Sequence, residues 1–352
     1  MPTWGQMLVE LNRITREAQQ TPLPEGVSAH DVLRRRYLKT LAERTGRAAI
    51  VYATAWLEPR TIEAQALTIQ LGDVQGFMEA VSNIKEREVD LFLHSPGGLA
   101  EAAESIVEYL RTRFDHVRVV VPVAAMSAAT MIALSGNEIL MGAHSQLGPI
   151  DPQFTIFTPE GPRSAPGQAI LDQFGLAKRE CVDPRNLPAW LPILRSYLPG
   201  LIAQCTHQRD LAEEFVARWL ERYMFKGESD AAAKAKAVAA WFGDFKEFKS
   251  HGRRVSRDDA RRQGLRVTDL EADQALQDAV LSVHHAVQLT LSQTGAVKLV
   301  ENHHGRAWIS MQQSVIIGQA PVAAPTPAPP AQPSTPPALN RQQRRQQARK
   351  KR

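Results

Sequence analysis

Three short motifs in this chain combine the residue types that acyl transfer needs. Ser95-Pro96-Gly97-Gly98 follows an apolar run at 89–93, and Ala125-Met126-Ser127-Ala128-Ala129 follows another at 117–121. Leu147-Gly148-Pro149-Ile150-Asp151-Pro152 closes the segment. Acyl transfer requires a nucleophile, a base within hydrogen-bond reach, a group that orients the base, and donors for the oxyanion. Glycines at 97 and 98 let backbone N–H groups approach a reacting carbonyl with no side chain in the way. Ser127 at the mouth of a helix is a candidate nucleophile, with the helix dipole behind it and the N–H of Ala128 beside the reacting carbon.

These motifs need elements to hold them. Residues 89–93 read as a strand. Residues 99–113 read as a helix with Ala102, Ile106, Val107 and Leu110 on its apolar stripe. A strand follows at 117–121, interrupted only by Arg118, then an apolar helix at 127–135 and a short strand at 139–141. This alternation predicts an α/β fold with a parallel sheet, whose carboxyl strand ends are where ligands bind. Upstream, 6–19 and 29–45 read as helices, 48–53 as a buried strand and 72–85 as a helix. In the second helix Leu33, Tyr37 and Leu41 share one face, with Arg35, Arg36 and Lys39 opposite. Downstream, 155–188 is rich in Pro and Gly and reads as a long excursion. Residues 190–242 read as mostly helical, 256–264 as a helix capped by Ser256 and stopped at Gly264, and 271–291 as an amphipathic helix.

Taken in order, the three motifs resemble the serine dehydrogenase proteinase family, which is similar to the Clp protease subunit and signal peptide peptidase A in the crotonase-like superfamily. The resemblance spans roughly 45–305, including Arg47 to Trp56 and Ala296 to Asn302. It implies a ClpP/crotonase-like core of parallel strands and helices with an added helical segment. It also implies a Ser, Asp, His triad with the His last, carried here by Ser127, Asp151 and His251. His251 precedes a helix that ends in the Gly264-Leu265 pair, although its flanking residues differ from the aromatic and acidic neighbours of the family pattern. His144 and His94 compete as the base, and Lys178 would form the Ser-Lys dyad that signal peptide peptidase A uses. The oxyanion would rest on N–H groups near Gly97 or Gly98 and Ala128. No cofactor is expected, and relatives lead to the expectation of a homo-oligomer acting on a peptide or protein substrate.

Composition bounds the alternatives. The chain is 43% hydrophobic and 22% charged, so it can bury a core. No apolar run reaches the roughly 18–20 residues of a membrane span, and 1–20 lacks the apolar block of a signal peptide. This predicts a cytoplasmic protein. Two cysteines, Cys181 and Cys205, are too few for a disulfide framework. The adjacent pairs His284/His285 and His303/His304 are expected to diverge and make no metal site. The net charge of +5 is misleading: Arg341, Arg344, Arg345, Arg349, Lys350, Lys351 and Arg352 form a basic tail without an acid, leaving 1–340 at −2. The organisation expected is an N-terminal helical segment (1–45), a peptidase domain (46–310) with a helical insertion at about 190–245, a Pro/Ala-rich linker (311–340) and the tail (341–352). The tail suits an acidic partner or nucleic-acid phosphates. Competing readings are an inactive crotonase-fold scaffold and an acyl-thioester enzyme.

Overall fold

The computed structural model describes residues 3–158 and 161–312. The linker from 313 onward and the basic tail lie outside them. Two helices open the chain, α1 (Trp4–Gln20) and α2 (Ala29–Thr45), each begun by a capping box, Thr3 with Gln6 and Ser28 with Asp31. The first strand, β1 (Ala48–Thr54), is buried throughout. Two helices, α3 (Ala64–Leu67) and α4 (Asp73–Val81), lead to β2 (Glu88–His94), α5 (Ala100–Arg113) and β3 (His116–Val121). Then come the two-residue β4 (Ala124–Ala125), α6 (Ala128–Leu134), β5 (Glu138–Met141) and the two-residue β6 (Gln146–Leu147). The expected strand–helix alternation is therefore present.

The region after Asp151 departs from expectation. The supposed excursion is structured: β7 (Gln153–Thr158) and β8 (Gly161–Pro166) pair as an antiparallel hairpin, and α7 (Gly167–Glu180) follows directly. Helices α8 (Leu187–Arg195), α9 (Leu201–Trp219) and α10 (Ala231–Gly243) continue, so the helical region begins well before residue 190. After α11 (Phe245–Phe248), α12 (Arg257–Arg262) carries the Ser256 capping box. The chain returns through β9 (Val267–Asp269), α13 (Gln274–Gln293), β10 (Ala296–Asn302) and β11 (Ala307–Met311).

Seven strands form the main sheet in the order β11-β10-β1-β2-β3-β5-β9. The five from β1 to β9 are parallel, and β10 and β11 add antiparallel at one edge. Both faces are covered, as a parallel sheet requires. Side chains alternate accordingly. Ile50, Leu91 and Val119 join the core shared with α4, α5, α6, α9 and α10, while Val51, Phe92 and Val120 join that shared with α2 and α13. The charged interruptions are paired. Asp90 is fully buried and takes two bonds from Arg118 at 2.8 Å and one from Arg47 at 3.0 Å. On α2, Arg34 is 1% exposed and bonds Glu301 of β10 at 2.7 Å, Thr290 of α13 at 2.8 Å, and Asp31. Among the described residues no helix is long and apolar enough to cross a membrane.

Candidate active site

A second, smaller ladder runs across the carboxyl end of the parallel strands. Ser95 bridges Ala125, Ala125 pairs with Leu147, and Leu147 pairs antiparallel with Val255. Its bonds include Met126 N–H to the Ser95 carbonyl at 3.0 Å and the reciprocal Leu147–Val255 pair at 3.0 and 2.9 Å. Each rung lies within four residues of a candidate site residue: Gly97 and Gly98, Ser127, Asp151 and His251. Backbone pairing thus lays the four segments side by side.

Ser127 is the N-cap of α6, with φ 51° and ψ −122°. Positive φ is costly for a residue with a Cβ, and it is held here from both sides. Thr130 Oγ1 donates to the Ala125 carbonyl at 2.7 Å and accepts from Gly148 N–H at 2.9 Å. The Ser127 hydroxyl makes no capping bond, so it is not spent on the helix. Gly97, at φ 99°, presses against it: a Cβ there would lie 2.5 Å from the Met126 oxygen and 2.7 Å from Ser127 Cβ. The Gly97 N–H donates to Ser95 Oγ at 3.2 Å, which narrows the two glycines to Gly98 as a candidate oxyanion donor. Ala128 is the first residue of α6, so its N–H has no intrahelical partner. Gly98, Ser127, Ala128 and His251 all line one cavity of about 670 Å³.

His251 Nδ1 lies 2.8 Å from Asp151 Oδ1, a pair separated by a hundred residues of sequence. Asp151 is 2% exposed and the His251 side chain 26%. A carboxylate oxygen accepts here, so in the neutral ring this contact puts the proton on Nδ1 and leaves Nε2 a lone pair. Asp151 is set by Ile150, whose N–H bonds the Phe242 carbonyl at 2.9 Å. Gln153, which the motif reading passed over, donates from Nε2 to Asp151 Oδ2 at 2.7 Å and also lines the cavity. Its place two residues after the acid was the available signal. The far wall comes from α9, with Gln204, His207 and Gln208, again without a sequence motif to mark it.

The competing bases lie elsewhere. His144 Nε2 is 2.9 Å from the Pro122 carbonyl, and His144 does not line the cavity. Lys178 is exposed on the last turn of α7 and does not line it either. His94 is 2% exposed, and burial pushes its pKa down to about 4. Cys205 is buried on α9 and Cys181 caps α7; both are free thiols. Contrary to expectation, His303 and His304 converge in the turn after β10, with ring centroids 3.9 Å apart, and with Glu86 they bring three ligand atoms within 4.8 Å. The fit to a metal is nevertheless poor. His303 Nδ1 accepts the Ala49 N–H at 3.2 Å, so a neutral ring carries its proton on Nε2, the atom 3.6 Å from Glu86.

Residues 67–162 match the family model described as ClpP-like SDH-type serine proteinase. The resemblance carried by the three motifs holds over this segment, which contains Gly98, Ser127 and Asp151 and stops before His251. The chain is also 45% identical over 69 residues to the uncharacterized protein MJ0137 of Methanocaldococcus jannaschii, covering 20% of this chain and 24% of that one. It is 37% identical over 86 residues to the uncharacterized protein MJ1495 of the same organism, covering 24% and 30%. The chain thus spans less than a third of either curated relative. Among solved structures it is similar to two variants of the 1510-N membrane-bound stomatin-specific protease, one of them in complex with a substrate peptide. Identities are 16% and 18% over 57% of this chain and 74% and 70% of those, each with a TM-score of 0.35.

Proposed function

We propose that this chain is a serine peptidase in which Ser127 is the nucleophile, His251 the general base and Asp151 the residue that orients it. The observation that carries this reading is the 2.8 Å His251–Asp151 contact beside a cavity that His251 shares with Ser127. Ser127 Oγ attacks the scissile carbonyl as His251 Nε2 takes its proton. The negative charge on the tetrahedral oxygen is met by the N–H groups of Gly98 and Ala128. His251 then gives the proton to the leaving amine, and water repeats the sequence on the acyl-enzyme. Asp151 holds Nδ1–H throughout and stabilises the imidazolium. The matched family and the cavity's apolar members, Met131, Ile150 and Phe154, suit a peptide substrate.

The test is labelling with a fluorophosphonate probe. The wild type is expected to label, Ser127→Ala not at all, and His251→Ala only slowly. Equal labelling of wild type and Ser127→Ala rejects the reading. A homo-oligomer belongs to the same proposal; a single-chain mass by light scattering would remove that part.

A further inference from the structure

Beneath the Gly-Gly turn lies a buried polar cluster that the chemistry above leaves unused. Lys298 Nζ of β10 donates to both oxygens of Asp73, at 2.8 and 3.0 Å. Asp73 is 2% exposed and Lys298 4%. Tyr52 of β1 donates its hydroxyl to Asp73 Oδ2 at 2.7 Å, and its ring stacks on Phe77. Burial, and then the adjacent Asp73 carboxylate, push the Tyr52 phenol well above its ordinary pKa, so it stays a donor. A buried ion pair is a weak device for stability, because desolvation offsets the attraction. What distinguishes this one is its remaining bond: the backbone N–H of Gln70 donates to Asp73 Oδ2 at 3.0 Å.

Gln70 follows the residue that grips the turn. Ile69 N–H donates to the Gly97 carbonyl at 2.7 Å, and the Ile69 carbonyl accepts from Leu99 N–H at 3.0 Å. Peptide planarity converts this grip into an aim. The Gly97 carbonyl and the Gly98 N–H belong to one planar unit and point in opposite directions. Fixing the Gly97 oxygen on Ile69 therefore fixes the Gly98 N–H on the other side. Glycine on both sides of that unit leaves it free to flip without such a bond. A flipped unit would offer the oxyanion an oxygen in place of a donor. The fit is close: a Cβ on Gly98 would lie 2.3 Å from the Ile69 nitrogen and oxygen.

We propose that Asp73, held by Lys298 and Tyr52, is a positioning residue that acts through Gln70 and Ile69 to set the orientation of the Gly97–Gly98 peptide. Its catalytic consequence rests on the peptidase reading above; its structural half does not. The experiment compares Asp73→Ala/Lys298→Met with Asp73→Asn/Lys298→Met in the full chain. Both remove the ion pair without leaving a buried charge, but only Asn keeps an acceptor for the Gln70 N–H. The Ala form is expected to lose about 100-fold in kcat on a peptide substrate with KM within about 3-fold. Amide hydrogen exchange at Ile69 and Leu99 should quicken by at least about 10-fold. The Asn form should recover most of both. Equal kcat in the two forms, or unchanged exchange at Ile69 and Leu99 in the Ala form, overturns the proposal. Tyr52→Phe removes one donor and keeps the packed ring, with an expected fall in kcat of about 5-fold. Should the double variants not fold, unchanged kcat and exchange in Tyr52→Phe overturn it instead. A wild type that neither turns over peptide nor takes a fluorophosphonate sinks the peptidase reading alone; the exchange rates still decide whether Asp73 holds the turn.

Discussion

His94 sits directly before the Ser-Pro-Gly-Gly turn at the end of β2, whereas His251 lies far downstream on the loop after α11, yet their surroundings are reversed. His94 alternates onto the face that packs against α13. Its ring is 5.6 Å from His284 and 5.8 Å from Trp56, beside a void of only about 10 Å³. Such a space holds at most about one water. His251 has a carboxylate at 2.8 Å and a quarter of its side chain open. Nearness to a motif places a backbone; the two-residue period of the strand then decides which face the side chain meets. Partner and access separate a candidate base from a core histidine here, and sequence distance to the turn does not.

The sharpest way to break this contrast is by substitution. Ser127→Ala and His251→Ala should each lower turnover by about 10⁶-fold, with His94→Leu remaining within about 3-fold. Matching losses in His251→Ala and His94→Leu, measured on one peptide substrate, would erase the distinction. Next in size is Asp151→Asn, expected to lower kcat by about 10⁴-fold, because an amide NH₂ cannot hold the Nδ1–H tautomer. Retained kcat would mean that His251 is oriented by something else.

The buried histidine supplies the third test. Its folded pKa of about 4 lies below the ordinary 6.5, so the unfolded chain binds the proton first as pH falls. Stability is therefore full above about pH 6.5 and is lost toward pH 4, by about 3 kcal/mol from this group. Burial depresses His284 in the same direction. Denaturant titrations at pH 7 and pH 4 should show that loss, and His94→Leu should shrink it by about that amount. An identical acid slope in the two proteins would refute the assignment. The smallest effect expected is from Gln153→Leu, which frees Asp151 Oδ2: about 5-fold in kcat with KM little changed. A change confined to KM would place Gln153 in substrate binding.

The core was legible because both faces of the parallel strands are covered. Nearly continuous apolar runs such as 117–121, alternating with helical stripes, have few other solutions. Arg118 within one strand looked like an interruption and is explained by Asp90, a partner on the neighbouring strand. The hairpin after Asp151 was harder to see. Pro162 and Pro166 argue against strands in general, yet β7 and β8 form a sheet of two, where every strand is an edge and proline is tolerated. The alternation of Phe154 and Ile156 with Gln153 and Thr155 was a usable signal. The Asp73 cluster left none, since its members are scattered over β1, α4 and β10. The turn at His303 and His304 defeated a rule that assumes regular structure, in which neighbouring side chains diverge.

The cross-ladder from Ser95 through Ala125 and Leu147 to Val255 has a consequence for how the molecule fails. Its rungs are main-chain bonds between the segments that continue β2, β3 and β5 and the loop that carries His251. The backbone pairing alone therefore brings these four segments together. By the same token, opening the ladder displaces the segments that continue the sheet's strands, so its opening is coupled to theirs. Heat inactivation and global unfolding should accordingly share a single transition.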